Sequence, residues 1–447
     1  MSRILLISTY ELGHQPVHLA VPAGALRAAG HDVRCVDLAV EDWDPAVLDG
    51  VDRVAISATM HTATRLAQPL LAQLDVPVAT YGLYGETFRG EYLEPLLAWA
   101  AQPPGSVSVQ PRETGGGPTQ NEGLPARDLL PPLERYARFA PGDGTERLAG
   151  AVEAGRGCAS RCRHCPVPAV YDGRTRIVAV DDVVADVAQL VDLGAEHVTF
   201  ADPDFLSGPH HARRVVDAVH AAFPTLTFDV TTKVELVLRH ADLWPAFASA
   251  GCRFVTSAVE CVDDSVLAIL DKGHTAADAA AAVAVLRASG IEPRPSLMPF
   301  TPWTTHRSLL DLARFVDEHD LAGSVDPVHW SIRLLLPTGS LLLETPEIRP
   351  HLTGYDAELL GHQWRSIDPA MDVLQQELAA LVERSDAGFR EVCAAIGAPA
   401  PARWTPAEAR PHLTESWFCC AEPTTAQRSR LVGGEGPQDA VELAELP

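Results

Sequence analysis

The chain has 447 residues and a net charge of −24, with 47% hydrophobic and 21% charged residues. This length predicts two or three globular domains with sizeable cores. The negative charge disfavours a nucleic acid partner, because the two polyanions would repel each other. No apolar stretch approaches the roughly 20 residues of a membrane helix, and the N-terminus has no signal-cleavage pattern. With nine unevenly spaced cysteines, we therefore expect a cytoplasmic protein with reduced thiols and no membrane association.

The first hundred residues alternate short apolar runs with helical patterns. We predict buried strands at RILLIS, DVRCVDL, RVAISAT and PVATYG, and a helix at PVHLAVPAGALRAAGH. Strands that alternate with helices indicate βαβ units and a parallel sheet, so we assign residues 1–110 to a Rossmann-like domain. A stretch rich in Pro and Gly follows, including GGGPTQNEG. It predicts a linker, which we place at residues 111–149.

A second alternating series begins near residue 150. We place its six strands at AVEAGRG, HVTFADPDF, LTFDVTTK, RFVTSAVE, EPRPSLMPF and HWSIRLLLP. Helical patterns lie between these strands, which predicts an α/β fold with a partial or complete parallel (β/α)6 barrel over residues 150–345. Functional groups of such barrels collect at the carboxyl ends of the strands. Residues 346–447 predict a helical C-terminal extension that ends in an acidic tail.

Three cysteines, Cys158, Cys162 and Cys165, lie close together directly after the first predicted barrel strand. Thiolates bind soft metals and iron–sulfur clusters, and the three arginines of this loop favour the thiolate form. A structural metal site uses four protein ligands, so three cysteines predict a site with an open position. The alternative is a zinc site completed by His164 or a distant cysteine. It is disfavoured because His164 adjoins Cys165 in sequence and is poorly placed to join the same tetrahedron.

The Cys-x3-Cys-x2-Cys spacing, in a loop after the first strand of a partial barrel, resembles the signature of the radical SAM superfamily. The resemblance implies a [4Fe–4S] cluster held by Cys158, Cys162 and Cys165. It also implies that the amino and carboxylate groups of S-adenosylmethionine (SAM) bind the fourth iron. An electron donor such as flavodoxin or ferredoxin is a further implied partner. His164 occupies the place where the family usually has an aromatic residue.

Two further stretches strengthen this resemblance. FADPDF ends the second strand with Asp202 and Asp204, where family members place polar groups near the methionine amine. SAVECVDDSVLAILDKGHT, with Glu260 and Lys272, resembles the fourth-strand segment of the branch with an N-terminal cobalamin-type domain. The resemblance therefore assigns these four residues to cofactor binding. The alternatives are helix caps for the two aspartates and a hydrogen-bonded strand-end carboxylate for Glu260.

The N-terminal domain resembles the Rossmann-like cobalamin-binding domains fused to many radical SAM enzymes, above all at GHQPVHLAVPAGALRAAGHDV. TYGLYGE, with Gly82 and Gly85, stands where that family often has a glycine turn near the cofactor. The usual Asp-x-His-x-x-Gly motif that ligates cobalt is absent. Two alternatives remain open: base-off cobalamin without a protein ligand, and a scaffold without cobalamin that helps to close the barrel. The second is favoured.

Cys419 and Cys420 stand side by side in WFCCAEP near the C-terminus. Adjacent cysteines rarely form a mutual disulfide, because the small ring strains the peptide. They are either two buried small hydrophobes or a functional dithiol. The stretch resembles the tail of the CUAEP/CCAEP-tail radical SAM family. It is also similar to radical SAM enzymes with C-terminal cysteine pairs that make organoarsenicals, which implies that the pair holds a thiophilic substrate such as arsenite.

Three functional hypotheses follow. The leading one is a radical SAM transferase that moves the 3-amino-3-carboxypropyl group of SAM to arsenite held by Cys419 and Cys420. The second is a cobalamin-dependent radical SAM methyltransferase, favoured by the N-terminal domain and weakened by its missing ligand histidine. The third is a non-catalytic sensor of metal or redox state. Asp202, Glu260 and Lys272 argue against a sensor, because a sensor has no need of a SAM pocket.

Overall fold

The computed structural model describes residues 1–102, 123–384, 387–402, 405–415, 422–424 and 427–428. These residues form one five-stranded and one seven-stranded β-sheet, both flanked by helices, together with two small two-stranded ribbons. No helix among them is long and apolar enough to cross a membrane.

The N-terminal unit is a parallel sheet with the strand order β2-β1-β3-β4-β5. Its elements are β1 (Arg3–Ser8), α1 (Val17–Ala28), β2 (Asp32–Asp37), β3 (Arg53–Ser57), α2 (His61–Leu71), β4 (Val78–Gly82), β5 (Phe88–Arg89) and α3 (Leu93–Ala100). The chain order reverses between β1 and β3, so the loops after these two strands diverge. In parallel sheets, ligands bind in the crevice that such a reversal opens at the carboxyl ends.

The strand β1 shows why this sequence forms a sheet covered on both faces. Ile4, Leu5, Leu6 and Ile7 are each at most 1% exposed. Ile4 and Leu6 pack into one apolar cluster with α1 and α3, whereas Leu5 and Ile7 pack into a second cluster with α2. Each fully buried side chain of this size contributes roughly 1.5–3 kcal/mol. A continuous apolar run is typical of a parallel strand between two helical layers.

The second unit is a half-barrel sheet with the strand order β13-β12-β11-β10-β7-β6-β16. Its elements up to the last parallel strand and the following helix are β6 (Arg138–Ala140), β7 (Arg147–Val152), β8 (Gly155–Gly157), α4 (Pro166–Tyr171), β9 (Thr175–Ile177), α5 (Val180–Asp192), β10 (His197–Phe200), α6 (Pro209–Ala222), β11 (Thr227–Thr232), α7 (Val234–Arg239), α8 (Trp244–Ser249), β12 (Cys252–Glu260), α9 (Asp264–Ile269), α10 (Ala276–Ala288), β13 (Glu292–Leu297) and α11 (His306–Glu318). The strands β7, β10, β11, β12 and β13 are parallel neighbours. Their carboxyl ends therefore form one rim.

The C-terminal part combines helices with short strands. It contains β14 (Leu352–Asp356), β15 (Gly361–Trp364), α12 (Pro369–Val382), α13 (Phe389–Ala395) and β16 (His412–Leu413). The strand β16 pairs antiparallel with β6, so the C-terminal segment returns to the edge of the half-barrel.

The predicted fold class is confirmed, with two corrections to the barrel strands. HWSIRLLLP is not a full sixth strand. Residues Pro327–Ser331 form a 3-10 helix, and the segment reaches the sheet only through an isolated bridge between Arg333 and Phe300. Pro327 favours the first turn of a helix. The buried Trp330 packs on Phe389 with ring centroids 5.3 Å apart, so tertiary packing outweighs the strand propensity of this stretch.

The first barrel strand also lies earlier than AVEAGRG predicted. The strand β7 ends at Val152, and Gly155–Gly157 turns away to pair antiparallel with β9. Gly157 adopts a φ of 76°, and a Cβ there would lie 2.5 Å from the carbonyl oxygen of Arg174. This glycine therefore permits the turn that carries the chain from β7 into the cysteine loop.

Ordered structure begins within the stretch assigned to a linker. Residues 111–122 lie outside the described residues. Beyond them, Arg127 is 2% exposed and forms an ion pair with Asp186 of α5 at 2.8 Å. Arg127 also donates to the carbonyl oxygen of Ala151 in β7. The part from 123 onward is thus attached to the half-barrel, and the domain boundaries themselves remain a prediction.

Candidate active site

The cysteine loop runs from β8 to α4 at the carboxyl rim of the half-barrel. Cys158 and Cys162 are buried, Cys165 is half-buried, and all three are free thiols. Burial raises the pKa of Cys165, and Cys162 and Cys158 raise it further because their charges act on it. The three sulfurs thus form one electrostatically coupled group of soft ligands. Such a group suits a soft cation, which would stabilise the thiolates that burial disfavours.

Backbone contacts fix the cysteine loop to the rest of the rim. The amide of Arg163 donates to the carbonyl oxygen of Leu270, and the amide of Leu342 donates to the carbonyl oxygen of Arg163. The guanidinium of Arg163 also donates to Ile269 at 3.1 Å. The loop is therefore held by the segment after β12 and by the chain near residue 340.

Glu260 and Lys272 form a buried ion pair beside the cysteine loop. Lys272 Nζ donates to Glu260 Oε1 at 2.8 Å, and the Nε2 atom of His164 lies 3.5 Å from the same oxygen. Burial alone would raise the pKa of Glu260, but Lys272 and His164 hold it well below its usual range. Glu260 has a φ of 65°, a strained conformation that clusters at functional sites. The pair places a carboxylate and an ammonium at the base of the cysteine loop.

Asp204 approaches the loop from the end of β10. Its Oδ2 atom lies 3.9 Å from Cys158 Sγ, and its Oδ1 atom accepts a hydrogen bond from Thr232 at 2.7 Å. The side chain also caps the short helix that follows it by accepting from the amide of Leu206 at 3.3 Å. Burial raises the pKa of Asp204 to about 6. Asp204 is therefore a helix cap that also lies beside Cys158, and its role in cofactor binding stays a prediction.

Asp202 has a different environment. Its Oδ2 atom accepts from the amide of Ala154 at 2.9 Å, and burial raises its pKa well above the usual value. A Cβ at Gly155 would lie 3.0 Å from its Oδ1 atom. Asp202 thus holds the backbone between β7 and β8, which precedes the cysteine loop in the chain.

The structure brings together six of the predicted site residues. They are Cys158, Cys162, Cys165, Asp204, Glu260 and Lys272. Cys419 and Cys420 lie outside the described residues, so their position remains a prediction. Cys252 is buried in the apolar core of the half-barrel, as the expectation of a packing role requires.

A charged network at the same rim was missed by the sequence analysis. His18 of α1 lies with Nδ1 3.0 Å from Glu11 Oε1 and with Nε2 3.1 Å from Glu153 Oε1. Glu153 also accepts from Arg156 Nε at 2.9 Å, two residues before Cys158. Burial opposes protonation of His18, but the two carboxylates outweigh it and raise its pKa to about 10. The imidazolium therefore joins the N-terminal sheet to the chain that enters the cysteine loop.

The loop after β1 also contacts the half-barrel, through His14. His14 is 4% exposed, and neither of its ring nitrogens has a hydrogen-bond partner among the described residues. Burial lowers the pKa of His14, so the ring is neutral, while Asp229 of β11 opposes this shift. The two histidines of GHQPVH were the only signal of these contacts in the sequence. The carboxyl ends of the two sheets thus face each other.

Apolar contacts complete the junction between the two sheets. Tyr10 and Met60, from the loops after β1 and β3, share one buried cluster with Met298 and Leu334 of the half-barrel. The Oγ1 atom of Thr59 is buried there without a hydrogen-bond partner among the described residues. The crevice at the strand reversal of the N-terminal sheet therefore opens toward the cysteine rim.

The C-terminal segment reaches the same crevice. Glu422, which follows the cysteine pair in CCAEP, lies with Oε1 2.8 Å from His61 Nε2 and accepts from Arg65 Nε at 3.0 Å. His61 begins α2 directly after the loop that follows β3. On the other side of the pair, Glu415 accepts from the hydroxyl of Tyr10 at 3.3 Å. Both contacts attach the segment to the N-terminal sheet.

Residues 152–316 match the family described as the Radical SAM superfamily. The chain carries a radical SAM domain. This match covers the cysteine loop, Asp204, Glu260 and Lys272, and it confirms the superfamily resemblance. It also identifies the protein as an enzyme rather than a metal or redox sensor. The narrower assignment to a CUAEP/CCAEP-tail family stays a prediction.

Larger parts of the chain than this domain are similar to known proteins. It is 24% identical over 349 residues to hopanoid C-3 methylase of Methylococcus capsulatus, across 68% of this chain and 64% of that protein. It resembles the cobalamin-dependent SAM radical enzyme OxsB with aqua-cobalamin and SAM bound, with a TM-score of 0.63, 13% identity, and coverage of 84% and 66%. It also resembles the radical SAM methyltransferase TsrM of Kitasatospora setae, with a TM-score of 0.54, 18% identity and 72% coverage of both chains.

The residues of this radical SAM domain fit the cluster and SAM that the family implies. Three coupled thiols without a fourth suit a [4Fe–4S] cluster with one open iron, and the Glu260–Lys272 pair lies beside them. The described residues contain no group of three or more His, Cys, Asp or Glu side chains arranged around a single metal ion. The fit therefore rests on the shared loop of the thiols and their mutual electrostatic contact.

Proposed function

We propose that this protein is a cobalamin-dependent radical SAM enzyme that transfers a methyl group to a small-molecule acceptor. The observation that carries the proposal is the junction of the two sheets, where His18 binds Glu153 at 3.1 Å. Two carboxyl rims that face each other can enclose two cofactors and one substrate. The likeness to OxsB, whose structure holds both aqua-cobalamin and SAM, extends over 84% of the chain and supports this arrangement.

The residues of the cysteine loop have a binding role in this proposal. Cys158, Cys162 and Cys165 hold the [4Fe–4S] cluster, which supplies one-electron reduction of SAM at its open iron. Glu260 contacts His164 of the cysteine loop and is paired with Lys272, and both residues are assigned to binding polar groups of a ligand at the rim. An electron donor such as flavodoxin or ferredoxin supplies the electron.

The crevice between β1 and β3 is the proposed cobalamin site. When bound, cobalamin supplies a cobalt centre that carries a methyl group. The loops after these strands present buried polar atoms that lack partners in the described structure, namely Thr59 Oγ1 and both nitrogens of His14. His14 is neutral because burial lowers its pKa, so a lone pair remains available to a ligand. These unpartnered polar atoms favour a cobalamin site, whereas the sequence alone favoured a scaffold without cobalamin.

A second candidate is transfer of the 3-amino-3-carboxypropyl group of SAM to arsenite. The observation that favours it is the attachment of Glu422 to His61 and Arg65, because Glu422 lies two residues after Cys420. The arsenite hypothesis depends on Cys419 and Cys420 as thiolate ligands. Both residues lie outside the described part of the chain, so the described contacts support methyl transfer better.

The experiment that separates these functions is product analysis by mass spectrometry. The full chain is reconstituted anaerobically with iron and sulfide, with or without cobalamin, then reduced and given SAM with or without arsenite. S-adenosylhomocysteine that forms only with cobalamin supports methyl transfer. Methylthioadenosine that forms only with arsenite supports the second candidate and contradicts the first.

The controls address the cofactors separately. A Cys158→Ala variant should form none of these products, whereas a Cys393→Ala variant, which removes a buried thiol of the apolar core, should retain them. 5′-Deoxyadenosine without S-adenosylhomocysteine in any condition would leave radical SAM cleavage intact and overturn methyl transfer. No SAM-derived product at all would overturn both candidates.

A further inference from the structure

A pocket of about 470 Å³ lies at the amino ends of the barrel strands, opposite the cysteine rim. Its lining residues come from the starts of β7, β12 and β13, from the end of α10 and from the chain that flanks β6 and β16. They are Pro141, Arg147, Arg253, Arg287, Gly290, Ile291, Glu292 and Pro411. The volume falls within the range of ordinary small-molecule sites.

Three of the lining side chains are guanidinium groups. Arg287 donates to the carbonyl oxygens of His319 and Asp320, which are neutral acceptors, so its charge is not balanced there. Within the described ranges, the guanidinium groups of Arg147 and Arg253 form no hydrogen bond or ion pair. This concentration of positive charge occurs in a chain with a net charge of −24.

The acidic groups near the pocket do not neutralise it. Glu292 is already bound by Arg410 at 2.6 Å and by the hydroxyl of Ser324. Asp143 is affected by the charge of Arg147, but its own hydrogen bonds go to Thr145. The pocket therefore keeps an excess of positive charge.

The positive charge of the pocket also acts on a buried side chain inside the half-barrel. His197 at the start of β10 stacks on Phe139 with ring centroids 3.8 Å apart, and its ring lies nearly parallel to that of Phe254, 6.0 Å away. Burial lowers the pKa of His197, and Arg253 and Arg147 lower it further, against the opposing effect of Asp229. Both guanidinium groups thus act on the same region at the base of the barrel.

We propose that this pocket binds a small anion that carries one or more phosphate groups. Guanidinium groups form paired hydrogen bonds with phosphate oxygens, and such charge-assisted bonds are stronger than neutral ones. Arg253 and Arg147 provide these donors, and Arg287 provides a third positive charge fixed in place by two carbonyls. The site lies at the opposite end of the barrel from the SAM domain's cysteine loop, so it is independent of the proposed methyl transfer.

Isothermal titration calorimetry of the full chain at low salt tests this site. The probes are inorganic phosphate, pyrophosphate and ADP, because they share phosphate chemistry and differ in charge and size. We expect saturable binding of at least one probe that weakens as salt rises, since charge contacts are screened. Absence of saturable binding for all three probes would overturn the proposal.

Variants assign the binding to the pocket. The double variant R147Q/R253Q should bind the same probe at least tenfold more weakly, and R253Q alone, at an exposed position, should show an intermediate loss. The control R214Q removes the same charge from the exposed face of α6 and should bind like the wild type. Equal affinity in R253Q and the wild type would place any binding elsewhere and contradict the proposal. Circular dichroism verifies the fold of each variant.

Discussion

His18 Nε2 lies 3.1 Å from Glu153 Oε1, and this contact joins α1 of the N-terminal sheet to the residue that follows β7 of the half-barrel. Glu153 also accepts from Arg156, which precedes the cysteine loop. Because both ring nitrogens of His18 face carboxylates, the protonated ring is stabilised on two sides. One half-buried positive charge thus contributes to the relative placement of the two carboxyl rims.

The first prediction concerns the pH dependence of this contact. The pKa of folded His18 is raised to about 10, above its unfolded value, so its stabilisation is complete below about pH 6.5. That stabilisation is lost as pH rises through about 10. We expect His18→Gln to lower the free energy of unfolding by about 1–3 kcal/mol at pH 6.5.

Urea denaturation at pH 6.5 and pH 10.5 measures this effect. The difference between the wild type and His18→Gln should shrink at the higher pH. His210→Gln, a substitution on α6, is the control and should change neither value. An equal difference at both pH values would show that His18 is not the titrating group.

The second prediction concerns the three thiols. Replacing Cys158, Cys162 or Cys165 with Ala should in each case reduce bound iron and sulfide to near zero after anaerobic reconstitution, because we propose that each thiol supplies one iron ligand. Cys261→Ala removes a buried thiol beyond Glu260 and should retain a full cluster. Iron analysis and visible absorption measure the outcome. A cluster that survives the loss of one of the three thiols would exclude that residue as a ligand.

The third prediction concerns the Glu260–Lys272 pair. Lys272→Met leaves a buried carboxylate without its main partner, which costs about 3–5 kcal/mol in comparable buried pairs. The double variant E260Q/K272M should recover a large part of this loss, because no unpaired charge remains. Urea denaturation of the two single variants and the double variant gives the coupling energy. Additive losses would show that the 2.8 Å contact does not determine the stability of this rim.

The fourth prediction concerns the attachment of the C-terminal segment. Glu422→Ala removes the contacts with His61 and Arg65. Half-exposed ion pairs of this kind together stabilise the attached segment by about 1 kcal/mol, which corresponds to a roughly fivefold change in the equilibrium constant for its local opening. Limited tryptic digestion should therefore release the C-terminal peptide several times faster. Glu408→Ala, at an exposed position earlier in the same segment, should digest like the wild type, and equal rates in all three proteins would contradict the attachment.

The sequence predicted the features that depend on local pattern. The spacing of Cys158, Cys162 and Cys165 identified the loop, and the apolar runs of the N-terminal residues identified a parallel sheet. The prediction of a strand at HWSIRLLLP was wrong because Trp330 packs against a helix far along the chain. Local propensity contains no information about such a partner.

The contacts between the two sheets could not be predicted for the same reason. His18 and Glu153 are far apart in sequence and belong to different sheets, so only the fold brings them to 3.1 Å. The resemblance to radical SAM proteins did assign Glu260 and Lys272 to the site, whereas periodicity alone gave them no role. That both ring nitrogens of His14 are buried without a hydrogen-bond partner among the described residues is likewise visible only in the folded structure.

Electron paramagnetic resonance of the reduced, reconstituted chain tests the central claim most directly. A [4Fe–4S] cluster with one iron open to SAM should give a signal that requires Cys158, Cys162 and Cys165. Its g values should shift when SAM is added, because SAM bound at the open iron would change the electronic environment of the cluster. A cluster signal that SAM leaves unchanged, or no cluster signal in the wild type, would contradict the assignment of this loop as the SAM-cleaving site.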